Sequence, residues 1–112
     1  MKLGIMVLNK IELLDRLLSE LGDAGIRGAT ILSSTGMARE LAHSHVDMSF
    51  LGSLRAMLDP DREENKTILI VLREEQVEVV RSVSAAVLGD LSKPDTAIFF
   101  TVPVDFVEGV CF

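Results

Sequence analysis

The apolar positions of the chain follow two patterns: short continuous runs that are typical of buried strands, and longer stretches with helical spacing. Four runs predict strands, at residues 3–8, 29–34, 67–72 and 97–102. Helical spacing predicts one helix between the first two strands and a second helix over residues 74–91. The predicted order of elements is therefore strand, helix, strand, strand, helix, strand.

The first predicted helix carries signals at both of its ends. Asn9 is a favourable N-cap, and Glu12 follows three residues later, as in a capping box. Gly22 and Gly25 are predicted to end this helix, because glycine is favoured just beyond a helix C-terminus.

This order of elements is the βαββαβ arrangement of ferredoxin-like folds. We therefore predict one α+β domain over residues 1–112, with a four-stranded antiparallel sheet and both helices on one face of it. The other face of the sheet would then be uncovered. Because 48% of the residues are hydrophobic, a large share for a small domain, we expect this face to be buried in a homo-oligomer.

Residues 37–65 form a long connection between the second and third predicted strands. The connection shows no strand periodicity, and connections of this length in compact domains are commonly functional. We predict that it is the most mobile part of the chain, with a short helix over residues 50–58. The apolar residues of that short helix would pack onto the oligomer or contact a partner protein.

Charge and cysteine content argue against several classes of protein. The formal net charge is −6 and the Lys and Arg residues form no stripe, which argues against nucleic-acid binding. Cys111 is the only cysteine, so no internal disulfide can form, and no apolar run approaches the roughly 20 residues needed to cross a bilayer. Without a signal peptide, the chain is expected in the cytoplasm, with no direct membrane insertion.

The sequence predicts neither a catalytic site nor a metal site. A nucleophile needs an orienting base, and the two histidines, His43 and His45, both fall in the predicted mobile connection. Two histidines also fall short of the three or four ligands that zinc sites usually have. We therefore expect no catalytic residue and no metal ligand.

Several segments resemble the nitrogen-regulatory P-II signalling proteins. Residues 25–31, Gly-Ile-Arg-Gly-Ala-Thr-Ile, are similar to the end of that family's first helix and its second strand. Gly36, Arg39 and His43 then fall where the family has a glycine, an arginine and a histidine leading into its T-loop. Residues 74–80 resemble the acidic start of the family's second helix.

The resemblance extends over nearly the whole chain, since residues 98–99, Ile-Phe, are similar to the start of the family's fourth strand. Residues 29–36 and 102–106 resemble the cyclic-di-AMP receptor proteins, a branch of the same superfamily. The chain departs from the P-II pattern just before the fourth strand, where Ala97 stands in place of a lysine. The residues that remain to supply similar chemistry in that loop are Gly89, Asp90, Lys93 and Asp95.

The resemblance implies a homotrimer that binds ATP, ADP, AMP or cyclic-di-AMP in clefts between subunits, as an effector rather than a required cofactor. The residues implied to contact this ligand are Thr30, Thr35, Gly36, Met37, Ala38, Arg39, Lys66, Gly89, Asp90 and Lys93. Arg39 would face a phosphate, and its replacement by alanine is expected to weaken binding with little loss of stability. Residues 37–65 would serve as the T-loop and contact a target protein, a transporter or an enzyme.

Two alternatives stay open on the sequence alone. The same architecture suits a structural or interaction trimer that binds no nucleotide. It also suits a divalent-cation-binding trimer resembling the copper-tolerance proteins. The ligand is the property that separates the three, because their predicted fold and assembly are the same.

Overall fold

A computed structural model of the chain describes residues 1–43 and 64–111. The strands are β1 (Lys2–Leu8), β2 (Thr30–Ser34), β3 (Asn65–Leu72) and β4 (Ala97–Pro103). The helices are α1 (Leu14–Asp23), which follows a 3₁₀ turn at Ile11–Leu13, α2 (Met37–His43) and α3 (Gln76–Leu88). The strands form one antiparallel sheet in the order β2-β3-β1-β4. The predicted ferredoxin-like α+β fold is therefore confirmed.

The hydrophobic core lies between one face of the sheet and helices α1 and α3. On the sheet side, alternate residues of β1 and β3 are buried, as the pleat of a strand requires, and β4 adds one buried residue at its start. These residues are Met6, Leu8, Ile68, Ile70, Leu72 and Ala97. The helices contribute Leu17, Leu21, Val80, Val87 and Leu88. Both helices thus pack on the same face of the sheet, as predicted.

The opposite side of the sheet is apolar, and we call it the open face. Ile5 lies directly across from Leu69 on β3 and from Phe100 on β4, so these side chains share this side. The further apolar residues of the open face are Leu3, Val7, Leu32, Val71, Ile98 and Val102. Ile98 is 59% exposed and Phe100 is 46% exposed. A contiguous apolar surface of this kind marks an interaction site in a soluble protein.

The predicted capping box of the first helix is wrong. The backbone N–H of Asn9 donates to the carbonyl of Thr96 at 2.9 Å, so it is not available to the Glu12 side chain. The side-chain oxygen of Asn9 accepts a hydrogen bond from Nδ2 of Asn65 at 3.2 Å. Helix α1 begins only at Leu14 and has no side-chain cap. Asn9 therefore forms a hydrogen bond with Asn65 of β3, which is distant in sequence, although the local pattern assigns Asn9 to the cap of the helix.

The connection between β2 and β3 differs from its prediction at both ends. It begins with helix α2, where residues 37–43 were expected to be part of a loop. Strand β3 begins at Asn65, two residues earlier than predicted. The predicted helix over residues 50–58 lies outside the described residues, as does most of the segment that was expected to be mobile.

Helix α3 is shorter than the predicted helix over residues 74–91. It begins at Gln76, whose side-chain Oε1 accepts a hydrogen bond from the backbone N–H of Arg73 at 2.9 Å. Gly89, with a φ of 78°, follows its last residue and turns the chain out of the helix. Among the helices of the described residues, none is both long and apolar enough to cross a membrane.

The C-terminal end of α1 is a Schellman motif. The N–H of Ile26 donates to the carbonyl of Leu21 at 3.0 Å, and the N–H of Gly25 donates to that of Gly22 at 3.0 Å. Gly25 has a φ of 95°, in the left-handed region that this motif requires. Ile26 and Leu21 are both buried, as in the apolar contact that usually accompanies the motif. The predicted end of the helix at Gly25 is therefore confirmed.

Replacing Gly25 with alanine is expected to lower the free energy of unfolding by about 1–2 kcal/mol, because a Cβ disfavours the left-handed region. Gly22→Ala is the matched control. Gly22 lies within α1, and a Cβ there would meet no atom within 4 Å. This control is expected to raise the free energy of unfolding by about 0.5–1 kcal/mol. Urea denaturation measures the free energy of unfolding of both variants. Equal losses of stability in the two would contradict the assignment of Gly25 as the left-handed residue of the motif.

Ser84 of α3 is a polar residue in the core. Its side chain is 1% exposed, and its Oγ has no hydrogen-bond partner among the described residues. Replacing Ser84 with alanine should raise the free energy of unfolding by about 1 kcal/mol, because an unsatisfied buried hydroxyl is costly. Ser82→Ala, on the exposed side of the same helix, should change it by less than about 0.5 kcal/mol. Thermal unfolding of the two variants tests this difference.

Candidate functional site

The residues that the sequence assigns to a ligand lie at two opposite ends of the sheet. Thr30 begins β2, whereas Thr35 and Gly36 follow its last residue. Five strand residues separate these ends by roughly 13 Å at about 3.3 Å per residue. Arg39 and Lys66 lie at the second end, because the N-terminal end of β3 pairs with the C-terminal end of β2. Within the chain, the structure therefore does not bring Thr30 to the other candidates.

Arg39 forms a buried ion pair with Asp95. Its Nη2 atom lies 3.2 Å from both carboxylate oxygens, and the two side chains are only 8% and 7% exposed. Arg39 belongs to α2, and Asp95 lies in the loop between α3 and β4, two residues before Ala97 begins the strand. The ion pair thus connects the two segments that the resemblance assigns to the phosphate.

This ion pair revises one expectation about Arg39. The sequence suggested that its loss would leave stability nearly unchanged, as it would for an exposed arginine. Because the guanidinium is buried against Asp95, removing it would leave a buried carboxylate without this cation. The sequence offers Asp95 as one of several loop residues, but nothing in the local pattern indicates that it is the partner of Arg39.

A polar cluster at the same end of the sheet was not predicted. The Ser34 hydroxyl donates to Oδ1 of Asn65 and lies 2.7 Å from Oγ1 of Thr67, and Nδ2 of Asn65 donates to Asn9. Asn65 is 4% exposed. A Cβ on Gly36 would lie 3.8 Å from Nδ2 of Asn65, so the cluster borders the turn after β2. The cluster connects the ends of three strands beside Gly36, a candidate ligand contact.

The loop after α3 contains one candidate cation, Lys93, and a second carboxylate besides Asp95, that of Asp90. The backbone N–H and the hydroxyl of Ser92 donate to Oδ1 of Asp90 at 2.9 and 2.7 Å. These hydrogen bonds, the side-chain one foremost, lower the pKa of Asp90, and the charge of Lys93 lowers it further. Asp90 is therefore ionised at neutral pH and would repel a phosphate. Lys93 is exposed in the same loop and has the charge that a phosphate requires.

The remaining predicted residues differ in how accessible they are. Lys66 donates to the hydroxyl of Ser33 at 2.8 Å and forms a salt bridge of 3.0 Å with Glu64. Met37 is 69% exposed on α2, next to the half-buried Ala38. The Glu64 carboxylate thus offsets part of the charge that Lys66 could offer a phosphate.

The Thr30 end of the sheet contains a groove of about 460 Å³. Its walls are the segment before β2, the end of β3 and residues 109–111 of the C-terminal tail. Leu69 and Val71 supply an apolar surface, while Arg27, Thr30 and Gln76 supply polar groups. Polar and apolar groups line the groove about equally, and its volume falls in the range of sites for small molecules.

The described residues contain no group of three or more His, Cys, Asp or Glu residues that could hold a metal ion. His45 and the side chain of His43 lie outside the part of the chain that the structure describes.

Comparison with known proteins gives the fold but no function. No family model and no curated protein matches the chain. Its fold is similar to the crystal structure of a functionally unknown protein from Pediococcus pentosaceus ATCC 25745, with a TM-score of 0.63 and 21% sequence identity. The match covers 97% of this chain and 96% of that chain. At this identity, the similarity supports the fold alone.

Proposed function

We propose that this protein is a non-catalytic, P-II-like regulator, a homotrimer that binds an adenine-containing nucleotide between subunits. In this proposal, residues 37–65 report occupancy of the site to a target protein. The single cysteine, Cys111, suits a cytoplasmic location, because no internal disulfide is needed.

The observation that carries the proposal is the separation of the candidate ligand residues. The groove at Thr30 and the basic end at Arg39 and Lys93 lie at opposite ends of one sheet. Each end supplies part of a nucleotide site. The groove supplies an apolar wall for a base, and the Arg39 end supplies a cation for a phosphate. A second subunit that places its Thr30 end against the Arg39 end of the first would complete the site. The apolar open face gives such subunits a reason to associate.

Calorimetric titration with ATP, ADP, AMP and cyclic-di-AMP tests the proposal. We expect at least one of them to bind, and Thr30→Val to weaken its binding about tenfold, the effect of one lost hydrogen bond. Thr101→Val, in β4 and away from the groove, is the control and should bind like the wild type. Failure of all four nucleotides to bind would favour a structural trimer without a ligand.

A mixing experiment tests whether the site is shared between subunits. Thr30→Val and Lys93→Ala subunits are refolded together and titrated with the nucleotide that the wild type binds. If each site takes Thr30 from one subunit and Lys93 from its neighbour, mixed trimers contain some sites with both residues intact. A class of sites with wild-type affinity should then reappear. If both residues came from one subunit, every site would carry one of the two changes and no such class would form.

A further inference from the structure

We propose that Asp95 occupies the position of an anionic ligand group on Arg39, and that a phosphate group exchanges with the Asp95 carboxylate when it binds. The identity of the anion as a phosphate rests on the proposed function, in which Arg39 serves a nucleotide. The exchange itself rests on the geometry of the ion pair. In this proposal, ligand binding separates α2 from the loop between α3 and β4.

The geometry of the ion pair makes an exchange feasible. Nη2 of Arg39 lies 3.2 Å from each oxygen of Asp95, whereas well-formed charge-assisted hydrogen bonds between N and O are about 2.7–2.9 Å long. The contact to Asp95 therefore falls short of the best geometry that a guanidinium forms with an oxyanion. A phosphate carries more charge than a carboxylate and offers more acceptor oxygens.

Burial explains why Arg39 would exchange its anion rather than simply lose it. Its side chain is 8% exposed, and a buried cation without an anion is strongly unfavourable. An arriving phosphate supplies the replacement charge at the moment when Asp95 leaves.

The ion pair is one of the contacts that tie α2 to the rest of the fold. Among the described residues, α2 has few close backbone contacts with the other helices and the strands. Arg39 is the third residue of this helix, which leads directly into the connection beyond residue 43. Because both carboxylate oxygens of Asp95 lie within hydrogen-bond distance of Nη2, a phosphate that binds this nitrogen competes with Asp95 for it and weakens the contact between α2 and the loop. Occupancy of the site would thereby change how the connection is held.

Asp95→Asn provides the test, with inorganic phosphate as the probe. Asparagine has nearly the size of aspartate and tolerates the left-handed φ of 57° that Asp95 has, so the loop keeps its conformation while the competing charge is removed. We expect calorimetry at constant ionic strength to show that the variant binds phosphate about tenfold more tightly than the wild type. This is the gain expected if the competing state, with Asp95 on Arg39, is populated about nine times in ten in the wild type. Equal or weaker binding would overturn the proposal, because Asp95 would then position Arg39 for the anion.

Asp90→Asn is the matched control. It removes a carboxylate from the same loop, but that carboxylate accepts its hydrogen bonds from Ser92. Its effect on phosphate affinity should be smaller, since exposed charges are screened by salt. An equal gain in phosphate affinity in the two variants would show that the effect comes from the overall charge of the loop, and it would overturn the proposed exchange.

Amide hydrogen exchange of the wild-type protein gives a second readout that does not depend on a variant. With phosphate at saturating concentration, residues 37–43 should exchange faster than in its absence, because α2 loses its contact with Asp95. Unchanged or slower exchange would contradict the proposal. If wild-type protein binds no nucleotide, the proposed function fails, but the comparison of phosphate binding by the Asn variants still decides the exchange.

Discussion

Replacing Arg39 with alanine is expected to lower the free energy of unfolding by about 3–5 kcal/mol, the usual effect of removing one partner of a buried ion pair. Its side chain is 8% exposed and that of Asp95 is 7% exposed, so water cannot fully solvate the carboxylate left behind. Chemical denaturation monitored by circular dichroism measures the loss.

Arg81→Ala is the control for this prediction. Arg81 pairs with Glu78 at 2.7 Å, but both side chains are more than half exposed, so its loss should cost less than about 1 kcal/mol. The double variant Arg39→Ala with Asp95→Asn should recover part of the stability, because it removes the uncompensated charge. Similar losses in the Arg39 and Arg81 variants would show that the buried pair contributes little.

Replacing Phe100 with glutamate is expected to convert the proposed trimer into monomers at micromolar concentration. Phe100 lies on the open face and is 46% exposed in one subunit, so in an oligomer the new carboxylate would be buried against Ile5 and its neighbours. An unpaired buried charge costs several kcal/mol in each subunit, enough to abolish association in this concentration range. Light scattering measures the mass, and circular dichroism confirms that the monomer is folded.

Ser19→Glu on the exposed side of α1 is the control, because it adds the same charge away from the open face. It should leave the mass unchanged. A wild-type protein that is monomeric at micromolar concentration would reject the trimer altogether, and a Phe100 variant that stays trimeric would place the interface elsewhere.

The sheet was predictable because its signals are local. The continuous apolar runs of β1 and β3 depend only on neighbouring residues, and the order of elements then limits the topology to a few choices. The end of α1 was predictable for the same reason, because Gly25 satisfies the motif with residues a few positions away.

Helix α2 was missed although its sequence favours a helix. Residues 37–43, Met-Ala-Arg-Glu-Leu-Ala-His, are mostly good helix formers. Their place in a long connection without strand periodicity led to the prediction of a loop. Seven residues make a marginal helix on their own, so contacts such as that of Arg39 with Asp95 decide whether it forms.

The candidate site was predictable only in part, because its contacts join residues far apart in the chain. Arg39 and Asp95 are 56 positions apart, and so are Asn9 and Asn65. No periodicity or spacing encodes such pairs, and the sequence instead assigned Asn9 to a helix cap. The resemblance indicated that Arg39 and the loop before β4 matter, whereas the ion pair between them emerges only from the fold.

The pairing of β1 with β4 has a consequence for how the protein is made. The register joins Lys2 to Pro103, so β1, the first of the four strands to be synthesised, has its second edge uncovered until β4, the last of them, is made. Until then, the edge of β1 is open to strands of neighbouring nascent chains. A chain whose translation stalls before β4 would thus form a three-stranded fragment with an exposed strand edge. Slow release of the stalled chain, or closely spaced ribosomes on one message, should favour aggregation of this fragment.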